Sequence, residues 1–356
     1  MNIFNYWICM KFRNKIAFIL FVIITVTCFS HCKLILYGIE QGTGQIKMVY
    51  QAVPINDVLA NPDFPDSLKA KLRLVTEIKK FAIDSIGLNE SENYTKVYDQ
   101  KGKPILWVVT ASPKYEIKSY LWSFPIVGSL PYKGFFSESD AKKEEEKLIT
   151  EGFDTRVGNV SAWSTLGFFR DPILSNMLFR SEGELAELII HELTHATIFI
   201  KGNAQFNENL ATLIGNEGAK YFLKSKFGAN SEQLKEYIGM DADDRNFARH
   251  ILRGSIQLDS LYASFQNNFS VQEKDSFKKN MISRIFSALD TINFYDKSLA
   301  KRFLKRKTNL NNAFFINYKT YHEDMNVFQK EFIQNFNSDF RKYLVYLKNK
   351  YAKEKV

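Results

Sequence analysis

The run His191-Glu192-Leu193-Thr194-His195 constrains this 356-residue chain more than any other. Two histidines and a glutamate are costly to bury without a shared partner. Yet residues 182–190 before the motif and 196–200 after it are apolar at helical spacing and free of proline. The spacing predicts one buried helix that ends at Lys201-Gly202-Asn203, a basic residue followed by glycine. Residues four apart share a helix face, so both imidazoles reach one metal ion. Glu192 then sits one residue round, toward the ion's open position. This is the layout of zinc-dependent hydrolysis, with two nitrogen ligands, an activated water and a carboxylate to take its proton. The competing reading is a buried helix whose two histidines are satisfied by core hydrogen bonds.

Two histidines make half of a tetrahedral site, and a catalytic zinc takes a third protein ligand while keeping one position for water. The next segment, Phe206-Asn207-Glu208-Asn209-Leu210-Ala211, supplies Glu208, facing back across a short turn. Two rivals stand beside this assignment. Glu208 is also readable as a first-turn carboxylate favoured by the helix dipole, and Glu217 lies further along the same helix. Ligand type points to one Zn2+ per chain.

Along the chain, residues 53–60 read as a short helix, broken by Pro62 and Pro65. Asp66 or Ser67 caps a long helix with Leu68, Leu72, Val75, Ile78, Phe81 and Ala82 on its inner face. Residues 105–110 read as a buried strand, 115–135 as further strands and turns, 137–150 as a charged helix and 154–164 as a strand. From about residue 218 onward the pattern is helical, and His250 falls on a surface helix face. The expected fold class is α+β: a β-containing lobe over about 33–180, a mostly helical lobe over about 181–356, and the metal between them. Residues 160–166 are a candidate sheet edge or else an ordinary core strand; in the zincin peptidases, which the HELTH motif resembles, such an edge takes a peptide substrate as an added strand.

The formal charge of +9 is scattered, with no Arg-rich aromatic stripe, a poor nucleic-acid signal, and no nucleic-acid partner is expected. Basic residues precede the apolar run 16–26, too short for a comfortable membrane span and suited to a signal h-region. Residues 1–32 are therefore an export leader or an uncleaved anchor, and His31 belongs to it. The chain's cysteines, Cys9, Cys28 and Cys32, all lie in this segment, so residues 33–356 hold neither a disulfide framework nor a cysteine nucleophile. The expected location is the cell envelope or periplasm, with membrane attachment through the N-terminus. Nothing in the sequence sets an oligomeric state.

The HELTH motif followed by Asn207-Glu208-Asn209-Leu210-Ala211 resembles the glutamate-zincin peptidases, and its short spacing resembles a bacterial group of predicted aminopeptidases with a lipoprotein-type signal. Further segments carry the likeness: Gly44-Gln45, Trp122-Ser123-Phe124-Pro125-Ile126-Val127-Gly128, Tyr132-Lys133-Gly134-Phe135-Phe136, residues 161–172, and Leu310-Asn311-Asn312-Ala313 with Tyr321 downstream. Together they span about residues 32–345. The resemblance implies a zincin-like metallopeptidase fold, a peptide substrate, and Cys32 as the residue that would be lipidated, with Cys28 as the alternative.

The implied chemistry is peptide-bond hydrolysis, with His191, His195 and Glu208 holding zinc and Glu192 as general base and acid. Tyr321, placed by the resemblance, is the expected oxyanion donor, with His322 as its alternative. Cleavage from a free N-terminus also needs an anion for the substrate amine, and Glu187, Glu217 and Asp171 are all within sequence reach. An endopeptidase or other zinc hydrolase of the envelope is the nearest alternative function. A non-catalytic envelope scaffold is the alternative from another class, and the intact Glu192 speaks against it.

Overall fold

Trp107–Pro113 is the middle strand of an antiparallel three-stranded sheet, flanked by Lys133–Phe135 and Phe153–Asn159. Its alternation sends Val109 and Ala111 into the core. The computed structural model describes residues 37–38, 40–124, 128–159, 170–305 and 310–351. The chain divides into Met1–Tyr50 and Gln51–Val356. In the first unit, residues 40–50 are helical.

The second unit is α+β and mostly helical. Its strands are β1 (Val53–Pro54), β2 (Lys96–Tyr98), β3 (Trp107–Pro113), β4 (Trp122–Phe124), β5 (Gly128–Leu130), β6 (Lys133–Phe135), β7 (Phe153–Asn159) and β8 (Ile173–Leu174). They form three small sheets, ordered β1-β2-β8, β6-β3-β7 and β4-β5. Among the helices, α1 (Ile55–Ala60), α2 (Asp66–Phe81) and α3 (Glu138–Thr150) are interleaved with these strands. After them come α4 (Glu182–Thr197), α5 (Ala204–Phe227), α6 (Glu232–Ala263), α7 (Val271–Ser287), α8 (Leu299–Lys305), α9 (Asn312–His322), α10 (Met325–Lys330) and α11 (Phe340–Lys350). Among the described residues no helix is long and apolar enough to cross a membrane.

The predicted helices and strands are present, with local differences. Residues 53–54 pair as a strand with β2 before α1 begins. Helix α2 is preceded by Pro65, with no side-chain cap, because the fixed φ of proline suits a helix start. The expected strand over 105–110 begins two residues later, at Trp107. His250 is half-buried rather than a surface residue, its Nε2 2.7 Å from the Ile285 carbonyl on the neighbouring helix. The candidate edge 160–166 lies outside the described residues, as do the leader and its cysteines.

Two side chains tie α9 to the rest of the unit. Asn312 donates to the carbonyls of Pro113, Lys114 and Glu116 at the end of β3, and accepts from Tyr262 on α6 at 2.7 Å. At the other end, Asn209 on α5 donates to the Thr320 carbonyl at 2.7 Å and accepts from the Asp324 amide at 3.0 Å. These bonds hold the end of α9 against the helix that carries Glu208.

Candidate metal centre

A capping box starts α4: Ser181 accepts from the Glu184 amide, and the Glu184 carboxylate accepts from the Ser181 amide at 3.0 Å. Leu185, Ile189, Ile190 and Leu193 are then fully buried, which fixes the rotation of the helix and the direction of the HELTH face. The helix ends at Thr197, before the predicted Lys201-Gly202-Asn203, because Ile198 turns to extended backbone. Asn207 holds that extended segment, accepting from the Ile200 amide and donating to its carbonyl, both at 2.8 Å. Gly202, at φ +75°, completes the turn, and Asn203 caps α5. Helix α5 is buried on nearly all sides from Phe206 to Asn216.

Helices α4 and α5 approach closely where α5 has no side chain. A Cβ at Gly215 would lie 3.0 Å from the Glu187 carbonyl and 3.2 Å from His191 Cβ. That approach brings three of the predicted residues together. His195 Nε2 lies 3.1 Å from His191 Nε2, and Glu208 Oε2 lies 3.4 Å from His191 Nε2 and 3.5 Å from His195 Nε2. A tetrahedral ion with bonds of about 2.0–2.1 Å sets its ligand atoms about 3.3–3.4 Å apart. The three donors thus fit one face of a metal's coordination shell, two imidazole nitrogens and a carboxylate oxygen. Glu208 lies in the second turn of α5, past the first-turn position of the dipole reading.

The electrostatics agree with this closeness. Burial opposes ionisation of Glu208, but the charges and hydrogen bonds of His195 and His191 outweigh it and hold the carboxyl at about 2. Burial likewise opposes the charge on His191, and Glu208 and Glu192 raise its pKa in spite of that. His195 Nδ1 is buried with no hydrogen-bond partner among the described residues.

Glu192 is 9% exposed, and three tyrosines feel its charge. Tyr321 is raised far above the ordinary phenol range, first by the charge of Glu208, then by burial, Tyr132 and Glu192. Tyr132, just before β6, is raised by burial, by the charges of Glu208 and Glu192, and by its hydrogen bond to the Glu208 carboxylate. Tyr94 is raised by burial, Glu192 and Asp171. It stands in the left-handed region at φ 61°, and its hydroxyl is buried without a partner among the described residues. Sequence reasoning chose Tyr321 but assigned no role to Tyr132 or Tyr94. They lie 60 and 98 residues before Glu192, and a single tyrosine carries no spacing signal.

The remaining sequence candidates separate. Glu217 is paired with Lys220 at 2.6 Å and faces a different groove, beside Tyr221 and Arg341. Asp171 is 1% exposed. His322 stacks on Tyr318 and is pushed down to about 4 by burial, which disfavours it as a charged donor. Glu187 stands one turn before His191 on the same face of α4.

Among known proteins, no curated protein and no solved structure matches the chain. One family does, described as Putative aminopeptidase, and it matches residues 36–355. The match takes in both helices of the candidate metal centre, the sheets and α9, and on that span the chain belongs to the Putative aminopeptidase family.

Proposed function

We propose that the protein is a zinc-dependent peptidase that removes residues from the free N-terminus of peptides. The convergence of His191 Nε2, His195 Nε2 and Glu208 Oε2 at 3.1–3.5 Å supports this most directly. The family points to the aminopeptidase class. Imidazole and carboxylate donors in this number suit zinc.

His191, His195 and Glu208 would hold the zinc, which would supply Lewis acidity and make a nearby water easier to deprotonate. Glu192, adjacent to His191, takes the proton of the attacking water and returns it to the departing amine. Tyr321 and Tyr132 keep their phenolic protons, because neighbouring carboxylates and burial oppose ionisation. Tyr321 therefore remains a donor for the oxyanion that develops on the scissile carbonyl, a contribution of about 100-fold or more in rate, while the single hydroxyl proton of Tyr132 is given to Glu208. Burial of the helices behind the site excludes water and strengthens these interactions. Export to the cell envelope, with attachment through residues 1–32, is part of the same proposal.

The test is elemental analysis of the purified chain beside its Glu208→Ala variant, with hydrolysis of an aminoacyl p-nitroanilide by wild type and Glu192→Gln. Expected are one zinc per wild-type chain, weakened retention in Glu208→Ala, and lost turnover with retained zinc in Glu192→Gln. Wild type that takes up no zinc on reconstitution would sink the proposal and promote the envelope scaffold.

A further inference from the structure

Four helices meet beside the metal-site residues around a group of acids. Glu187 on α4 accepts from the Tyr237 hydroxyl of α6 at 3.0 Å. Asp241 and Asp244, also on α6, bear electrostatically on Glu187, and Tyr318 of α9 feels Asp244. The cations of this region are already taken. Lys220 and Arg245 both pair with Asp241, at 3.2 and 2.9 Å. Among the described residues neither Glu187 nor Asp244 has a cationic partner.

An independent observation comes from α5. Asn216 is 8% exposed, and its Nδ2 donates to Asp241 at 3.0 Å. That bond fixes the amide's orientation and leaves Oδ1 buried with no donor. A buried acceptor without a donor carries a desolvation cost, so the polar groups packed here are not all satisfied within the protein. The carboxylates are crowded too. Burial, reinforced by Asp244 and Asp241, pushes Glu187 up to about 7, while burial with Asp241 and Asp243 pushes Asp244 up to about 6. Both residues nevertheless keep accessible surface.

Resting on the peptidase reading above, we propose that Glu187, with Asp244 beside it, is the subsite that takes the free α-ammonium group of the substrate peptide. The spacing suits this role. Glu187 and His191 are one turn apart, about 6 Å along the helix, and a peptide's amine lies about 2.5 Å from its first carbonyl carbon. An ammonium held at Glu187 presents that first carbonyl to the metal site, so cleavage removes a single residue. The rival acids fail on position: Glu217 is neutralised by Lys220, and Asp171 is closed off. A second metal ion is disfavoured, because the only set of three ligand atoms at metal spacing among the described residues is His191, His195 and Glu208. An ammonium bound through dispersed acceptors needs no such convergence.

Calorimetric binding of L-leucinamide and N-acetyl-L-leucinamide to the zinc-reconstituted full chain tests this, with zinc content read on the same samples. Wild type should prefer the free amine by at least about tenfold. Glu187→Gln should abolish the preference while keeping zinc, and Asp244→Asn, a change at an exposed residue, should weaken it about threefold. Glu217→Gln should leave it intact. Equal binding of the two amides to zinc-loaded wild type overturns the subsite and leaves the peptidase proposal standing. So does a preference that survives both Glu187→Gln and Asp244→Asn. Tight binding of N-acetyl-L-lysinamide would also overturn it, assigning the acids to a basic side chain. A chain that prefers the free amine yet takes up no zinc supports the subsite and removes the peptidase mechanism instead.

Discussion

Asn207 grips Ile200 by both edges of its amide, with each bond at 2.8 Å, and so fixes the turn between the two helices that carry the metal-site residues. Asn207 is 3% exposed, so water does not replace these bonds when the side chain is lost. Asn207→Ala should cost about 2–4 kcal/mol, the loss of two bonds plus two unsatisfied backbone groups. Urea unfolding measures this. Zinc affinity, read by competition with a chelator, should fall with it, because Glu208 follows Asn207 directly. Wild-type stability in the variant would mean that the turn holds by other contacts.

Gly215 sits where the same two helices come closest. A methyl group there meets the Glu187 carbonyl at 3.0 Å and His191 Cβ at 3.2 Å. In an open helix Gly→Ala stabilises by about 1 kcal/mol. Here overpacking of about 1–3 kcal/mol opposes that gain. Gly215→Ala should leave stability near or below wild type and weaken zinc binding by separating His191 from Glu208. A clear rise in the melting temperature with unchanged zinc affinity would show that the contact relaxes freely.

Tyr94 buries a hydroxyl that has no partner among the described residues. Removing an unsatisfied buried group is neutral or favourable. Tyr94→Phe should therefore change stability by no more than about 1 kcal/mol in denaturant titration, with the balance toward gain. A loss of several kcal/mol would reveal a partner for the hydroxyl.

His322 is pushed down to about 4 by burial, with Asp241 opposing the shift. The unfolded residue titrates near 6.5, so between these values the unfolded chain binds the extra proton. Stability from this residue therefore rises as pH increases from about 4 to about 6.5, and the penalty is complete below about 4. Its size is at most about 3 kcal/mol. His322→Gln should flatten the pH dependence of the melting temperature across that window. An unchanged slope would assign the acid sensitivity to other groups.

Much of the candidate site was legible in sequence because its chemistry is local. His191, Glu192 and His195 are within one helical turn or so, and Glu208 follows after one connection. Periodicity places such groups on faces, and burial of Ile189, Ile190 and Leu193 sets which face is inward. The end of α4 was misplaced because the apolar run over 196–200 continues, whereas the chain turns extended to meet Asn207, a contact no window around residue 198 contains. Tyr132 lies in a segment that carries the resemblance but received no role, for the same reason. It reaches Glu208 through the sheet, and nothing in its neighbours marks a tyrosine that will hydrogen-bond a carboxylate 76 residues away. The acids of α6 form no recognised motif in sequence, and only the packing of α4, α5 and α9 around them makes them a cluster.

Synthesis order adds a consequence to the docking of α9 on Asn209. The three metal-site side chains leave the ribosome more than a hundred residues before Tyr321 does. A half-made chain already holds the residues for binding an ion but lacks the phenol that completes the proposed reaction centre. The proposed reaction centre is therefore complete only when the last helices have been made and docked.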